Sequence, residues 1–165
     1  MLTLCNSITD ATEMSKIQKK ISIKNKKAYF DYEILDKYTA GIKLLGTEIK
    51  SVRESKASIK EAYCYVDNGE VFIKNMHITE YSNGGFINHE PYRLRKLLLN
   101  KKEIEKIEKK LKDVGITIVP LLMFISEKGY AKLEIGIAKG KKLYDKRESL
   151  KQKDTKRDLD RMMRK

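Results

Sequence analysis

Asp31 and Glu33 stand two residues apart in a β-prone aromatic stretch, so on a strand they would share one face. Two carboxylates placed that way could hold Mg²⁺ beside a phosphodiester, and a nuclease is therefore one reading of the chain. Little else supports catalysis. The only histidines are His77 and His89, and neither lies in a Cys/His or His/carboxylate spacing that makes a metal site. His77, within Met76-His77-Ile78, reads as a partly buried barrel residue rather than a base. Walker and dinucleotide fingerprints are absent. The expectation is a protein that is not an enzyme and uses no metal or cofactor.

The plentiful chemistry is cationic. Thirty-six Lys/Arg against 23 Asp/Glu give a formal net charge of +13, which favours a polyanionic partner. Nucleic acid comes before membrane, because no apolar run approaches the roughly 20 residues that a bilayer span needs. A lysine-rich proteome would also yield such a charge, but here it clusters: residues 139–165 hold twelve Lys/Arg and five Asp/Glu. Their few apolar members, among them Leu143, Tyr144, Leu150 and Leu159, cannot offset about 1–2 kcal/mol per residue of backbone ordering without a partner. Tyr144 in particular has no core available to it and is free to stack on a base or ribose.

Around these groups the chain falls into elements. The first strand is expected from Tyr29, through Phe30, Tyr32, Ile34 and Leu35, with a second, short strand at Gly41-Ile42-Lys43-Leu44. Thr47 offers an N-cap hydroxyl for a helical turn through Arg53, with Ile49 and Val52 inward. Asp67-Asn68-Gly69 supplies the positive φ angles of a hairpin between Tyr63–Val66 and Glu70–Ile78. A polar loop from Asn83-Gly84-Gly85 reaches Pro91 and leads into Arg93, Arg95 and Lys96. One long helix is framed by the capping pair Asn100/Glu103 and by Gly115, with Ile104, Ile107, Leu111 and Val114 on its apolar side. Ile116–Ser126 contains Pro120 and reads as a barrel strand bent at a bulge, and Leu133, Ile135 and Ile137 alternate in a last strand.

These elements predict a mostly β protein: a small OB-type closed antiparallel barrel with one long and one or two short helices, plus a basic C-terminal tail disordered when free. The expected divisions are a flexible extension over 1–21, an RNA-binding barrel over 22–138 and the tail over 139–165. Cys5 and Cys64 have neither the number nor the spacing of a disulfide framework, which suggests a reducing, cytoplasmic compartment. Met1–Glu13 carries no Lys or Arg and reads as neither secretory signal nor transit peptide; Met14-Ser15-Lys16 forms a second candidate start.

Three stretches taken together resemble one family, the SsrA-binding proteins or SmpB, partners of transfer-messenger RNA. They are Ala40-Gly41-Ile42-Lys43-Leu44-Leu45-Gly46-Thr47-Glu48-Ile49-Lys50-Ser51-Val52-Arg53, then Pro91-Tyr92-Arg93-Leu94-Arg95-Lys96-Leu97-Leu98-Leu99, then Gly140-Lys141-Lys142 with Asp145-Lys146-Arg147. With Asn25-Lys26-Lys27-Ala28, the likeness spans residues 22–157 in unbroken order. It implies a barrel that binds the tRNA-like domain of transfer-messenger RNA, and a tail that becomes helical in the empty mRNA channel of a stalled ribosome.

By the same likeness, Asn25, Lys26, Thr39, Tyr63, Arg93, Arg95, Lys96, Leu98, Lys132, Lys141 and Lys142 would contact RNA, with Gly140 at a hinge. Tyr144 and Asp145-Lys146-Arg147 would serve in the decoding region, while Lys151, Lys153 and Arg157 would track rRNA phosphates. Two positions depart from the family pattern: Thr39 stands where glutamate is usual, and Ser55 where glycine is usual. The implied partners are transfer-messenger RNA and the ribosome, with the protein itself a monomer. The alternative binding role is a structural OB-type rRNA-binding or initiation-factor-like protein that acts without transfer-messenger RNA.

Overall fold

Asn25 decides how the chain enters its fold. Its Oδ1 accepts the Ala28 N–H at 3.1 Å and caps a short helix, so the aromatic run expected to begin a strand at Tyr29 is helical as far as Asp31. The computed structural model describes residues 21–85, 88–142, 144, 155, 157, 159 and 161–163. In chain order the elements are β1 (Ser22–Lys24), α1 (Lys26–Asp31), β2 (Tyr32–Ile42), α2 (Gly46–Arg53), β3 (Ala57–Ser58), β4 (Tyr63–Asp67), β5 (Glu70–Lys74), β6 (His77–Ile78), β7 (Arg95–Leu98), α3 (Lys101–Leu111), β8 (Ile116–Ile125) and β9 (Ala131–Gly140).

Six strands close a ring in the order β8-β4-β5-β7-β2-β9, with every described pairing antiparallel and β8 returning to β9. This is the OB-type barrel expected from the pattern. β8 is long enough to serve two neighbours on one edge: Cys64 of β4 faces Ile118, whereas β1 takes Leu122 to Phe124. The register of β8 on β9 slips between Pro120 and Leu122, where the sequence placed a bulge, and that of β2 on β9 slips between Ile34 and Asp36. These slips supply the curvature that closing the ring requires.

The barrel interior holds Ala40, Val71, Ile73, Leu97, Ile118, Met123, Leu133, Ile135 and Ile137, with Val52 of α2 and Ile107 of α3 packed into the same core. A second, smaller cluster joins Ala28 of α1 to Val119, Leu121 and Ala138. Burial on both faces explains why β8 is apolar at successive positions. Asn68 and Gly69 take φ of 50° and 74° at the β4–β5 turn, as the hairpin motif requires.

Several boundaries move. Gly41 and Ile42 end the 11-residue β2 and do not form a separate strand. Leu45, not Thr47, precedes the first turn of α2; its N–H donates to Glu48 Oε2 at 2.7 Å, and Thr47 Oγ1 instead meets His89 Nδ1 at 2.9 Å. His77 lies in the two-stranded β3–β6 sheet, outside the ring, with its ring 4.9 Å from that of Tyr92. Val114 is 97% exposed because α3 has already ended at Leu111. β9 continues to Gly140, two residues past the expected edge of the body, paired there with Tyr32. Among the described residues no helix is long and apolar enough to cross a membrane.

Candidate nucleic-acid interface

The antiparallel registers place one exposed or half-buried position from each of five strands in line across the outside of the barrel. Leu98 of β7 faces Gly41 of β2, Gly41 faces Lys132 of β9, Lys132 faces Phe124 of β8, and Phe124 faces Ser22 of β1. A second row, two residues along, runs Thr39, Glu134, Leu122 and Lys24. Of the residues nominated from sequence, this strip unites Leu98, Thr39 and Lys132, with Lys96 two positions before Leu98 on the same face. Leu98 is 54% exposed although its neighbours Leu97 and Leu99 pack inward. Gly41 matters through its missing side chain: a Cβ there would stand 3.3 Å from that of Leu98.

Chemically the strip combines cations for phosphates with apolar and aromatic surface for bases. Glu134 is its acid, held 3.4 Å from Lys37 Nζ, and that partnership raises the lysine above its ordinary value, as the nearby Tyr29 ring does to a lesser degree. Lys96 is ion-paired with Glu70. Sequence reading missed Phe124, Glu134 and Lys24 on this surface. The alternation along β9 marks Glu134 as outward, but β8 is apolar at successive positions and β1 has three residues, so only the register lines Phe124 and Lys24 up with Leu98.

A second group gathers around α1. Lys26 is exposed at its start, and Lys141 closes over its end, donating Nζ to Tyr29 O at 3.2 Å and its backbone N–H to Asp31 O at 3.0 Å. Gly140 and Lys142 flank Lys141 and are exposed. A Cβ at Gly140 would meet nothing within 4 Å, so no contact within the described fold demands glycine there. Tyr63 is exposed beside Lys27, Lys60 and Glu61 on a small groove next to this helix. Gly140 and Lys132 are eight residues apart on β9, which at about 3.3 Å per residue separates the two groups by roughly 26 Å.

Two nominated residues face inward. Asn25 is 2% exposed: its Nδ2 donates to Ile59 O at 3.0 Å and Pro120 O at 3.1 Å, while Oδ1 caps α1. Arg95 is 0% exposed and donates Nε to Glu48 Oε1 at 2.8 Å, Nη1 to Met76 O at 2.7 Å and Nη2 to Pro91 O at 3.1 Å. In this structure both side chains serve as internal ties. Their polar groups are satisfied inside, and exposing them would strand buried partners. Arg93 is only part-exposed, because Nε and Nη2 grip Glu48 Oε1 and Oε2 at 2.9 and 2.7 Å. Burial pushes the Glu48 carboxyl up, but the Arg93 hydrogen bonds, the Leu45 N–H and the Arg95 charge outweigh it and hold the group below its ordinary value.

The carboxylates considered for a nuclease do not share a strand face. Asp31 closes α1 and Glu33 belongs to β2 opposite Lys139. Among the described residues no group of three or more His, Cys, Asp or Glu is placed to hold a metal. In the tail, Tyr144 is exposed with helical backbone, as are Thr155, Arg157, Leu159, Arg161 and Met162. Asp145, Lys146, Arg147, Lys151 and Lys153, as well as most of the 1–21 extension, lie outside the described residues.

A closed antiparallel barrel whose outer strip alternates cationic, apolar and aromatic groups is a nucleic-acid-binding barrel of the OB class. Within that class the chain belongs to the SmpB protein family, whose model matches residues 22–165. An SsrA-binding protein of Bacteroides thetaiotaomicron is 58% identical over 147 residues, covering 89% of this chain and 98% of the relative. One from Phocaeicola vulgatus is 60% identical over 144 residues, with coverages of 87% and 96%. The likeness extends to Enterococcus hirae, at 50% over 151 residues. A solved tmRNA-SmpB structure, described as a journey to the center of the bacterial ribosome, matches with a TM-score of 0.64 and 41% identity over 74% of this chain and 86% of the other.

Proposed function

We propose that this protein is a non-enzymatic adaptor that binds the tRNA-like domain of transfer-messenger RNA and delivers it to stalled ribosomes for trans-translation. One observation carries this reading: Leu98, Thr39 and Lys132, far apart in sequence, meet across Gly41 on one exposed strip, in a chain whose relatives are SsrA-binding proteins. On this reading the strip supplies the specific contacts, with Lys96, Arg93 and the α1 group of Lys26, Tyr63, Lys141 and Lys142 adding phosphate and stacking contacts. Gly140 is the hinge to a tail that fills the vacant mRNA channel. There Tyr144, Asp145, Lys146 and Arg147 act at the decoding region, and Lys151, Lys153 and Arg157 follow rRNA phosphates. The work takes place in the cytoplasm, one protein to one RNA.

Filter binding of transfer-messenger RNA against ordinary tRNA across a salt series tests the reading. Tight, selective binding is expected, weakening about 10³–10⁵-fold between roughly 50 and 200 mM salt if six to ten phosphates are contacted. Ribosome co-purification without transfer-messenger RNA would replace it with the structural rRNA-binding role, and Mg²⁺-dependent RNA cleavage lost in Asp31→Ala would replace it with the nuclease.

A further inference from the structure

α3 packs into the barrel core through Ile107, with Ile104 and Leu111 against the same cluster, and Lys110 on its flank pairs with Asp36 of β2. The side turned away from the core carries Lys102, Lys106 and Lys109, which at spacings of four and three residues fall on one line. All three are exposed, and among the described residues none is ion-paired, whereas Lys27, Lys37, Lys56, Lys96 and Lys110 each hold a carboxylate. The acids of α3 stand off this crest: Glu103 accepts the Asn100 N–H, while Glu105 and Glu108 form a separate row with Lys101 and Lys112. Like charges one turn apart destabilise a helix, so an unpaired crest costs the free protein and is offset when a polyanion covers it. Position narrows the partner. α3 begins just past Leu98, at the edge of the strip, and leads through Gly115 to Ile116, which faces Lys139 at the root of the tail. The crest thus runs from the strip towards the tail exit, on a face that the strip does not share.

We infer that the α3 crest docks on the phosphate backbone of ribosomal RNA while the strip holds transfer-messenger RNA. The inference rests on the proposed adaptor role and gives the head a ribosome contact of its own, separate from the tail. At about 1.5 Å per residue the crest spans about 10 Å, and a nucleic-acid strand presents a phosphate roughly every 3.4 Å of its axis, so about three phosphates lie within reach of the three ammonium groups. The Glu105/Glu108 row on its shoulder repels phosphates on that side and confines the contact to one strand. No base edge is read, so binding there depends on salt and not on sequence.

The test compares the full-length protein with a triple variant, Lys102→Gln, Lys106→Gln and Lys109→Gln, and with a control, Lys101→Gln and Lys112→Gln, thermal unfolding confirming that each folds. Co-sedimentation with ribosomes and filter binding to transfer-messenger RNA are measured across a salt series. The triple variant should bind ribosomes at least about tenfold more weakly near roughly 100 mM salt, with the salt slope lowered by about two to three, and should bind transfer-messenger RNA as the unaltered protein does. The control should match the unaltered protein in both assays. Unchanged ribosome binding by the triple variant overturns the crest, and so does an equal loss per charge in the control, which would mark general attraction. A matching loss of transfer-messenger RNA affinity overturns it as well, by assigning the crest to that RNA. If the unaltered protein fails to bind transfer-messenger RNA, the adaptor reading falls while the ribosome assay still decides the crest. A photo-crosslinking benzoylphenylalanine at position 106 should join ribosomal RNA; crosslinks confined to ribosomal proteins would overturn the assignment.

Discussion

Lys132 and Arg95 carry the same charge and do opposite work. Lys132 is exposed on the strip, so Lys132→Ala should weaken RNA binding across sequences and lower the salt slope by about one, with stability nearly unchanged in thermal melts. Arg95 ties Glu48 to the Met76 and Pro91 carbonyls, and replacing it removes one of the two guanidinium partners of a buried carboxylate and leaves those carbonyls without this donor. Arg95→Met should cost about 3–5 kcal/mol in urea unfolding at neutral pH while the protein still folded binds RNA as before. A loss of RNA affinity with full stability would show that the guanidinium reaches RNA. Glu48 adds a pH signature. Its carboxyl titrates lower when folded than when unfolded, so its stabilising contribution is present above the ordinary carboxylate value, about 4.3, and is lost as pH falls below it. Thermal melts from about pH 7 to pH 3 should show this acid limb, flattened in Glu48→Gln.

Among elements, the β8–β9 pair bears the most. It closes the ring, carries the Lys132–Phe124 step of the strip and forms the roof over α1, all beside the slip at Pro120/Leu122. Gly136 makes that packing possible: a Cβ there would lie 2.9 Å from Leu121 Cδ1 and 3.2 Å from Ile34 Cγ2, and Leu121 is fully buried. Gly136→Ala should therefore destabilise the barrel by about 1–3 kcal/mol in thermal unfolding. An effect within a few tenths would mean that Leu121 can move aside. α3, by contrast, anchors itself locally: Asn100 N–H donates to Glu103 Oε2 at 2.9 Å, and Ile107 alone along it is fully buried.

For the whole molecule, the proposed division is a folded head followed, beyond Gly140, by an end rich in Lys and Arg. The described tail residues Leu159, Met162 and Met163 leave apolar surface uncovered, which suits a segment that buries it against a partner. If the head grips RNA and the tail reads the ribosome, Asp145→Ala combined with Lys146→Ala should leave transfer-messenger RNA affinity within about twofold and abolish tagging on stalled ribosomes. Parallel loss of both, measured by filter binding and a tagging assay, would refute that division.

The sequence by itself determined whatever depends on neighbours along the chain. The Asn68-Gly69 turn, the capping of α3 by Asn100 and Glu103, the alternation of β9 and the bulge at Pro120 are set by local backbone chemistry, and the family pattern follows from short motifs in fixed order. Only the tertiary structure decided which cations are available. Arg93 and Arg95 read as surface charges until Glu48, some 45 residues earlier, is seen to hold both, and Asn25 until its amide is found between Ile59 and Pro120. Likewise the Leu98–Gly41–Lys132 row comes from pairing register. Register is fixed by ring closure and by which faces the core buries, and no single strand encodes it.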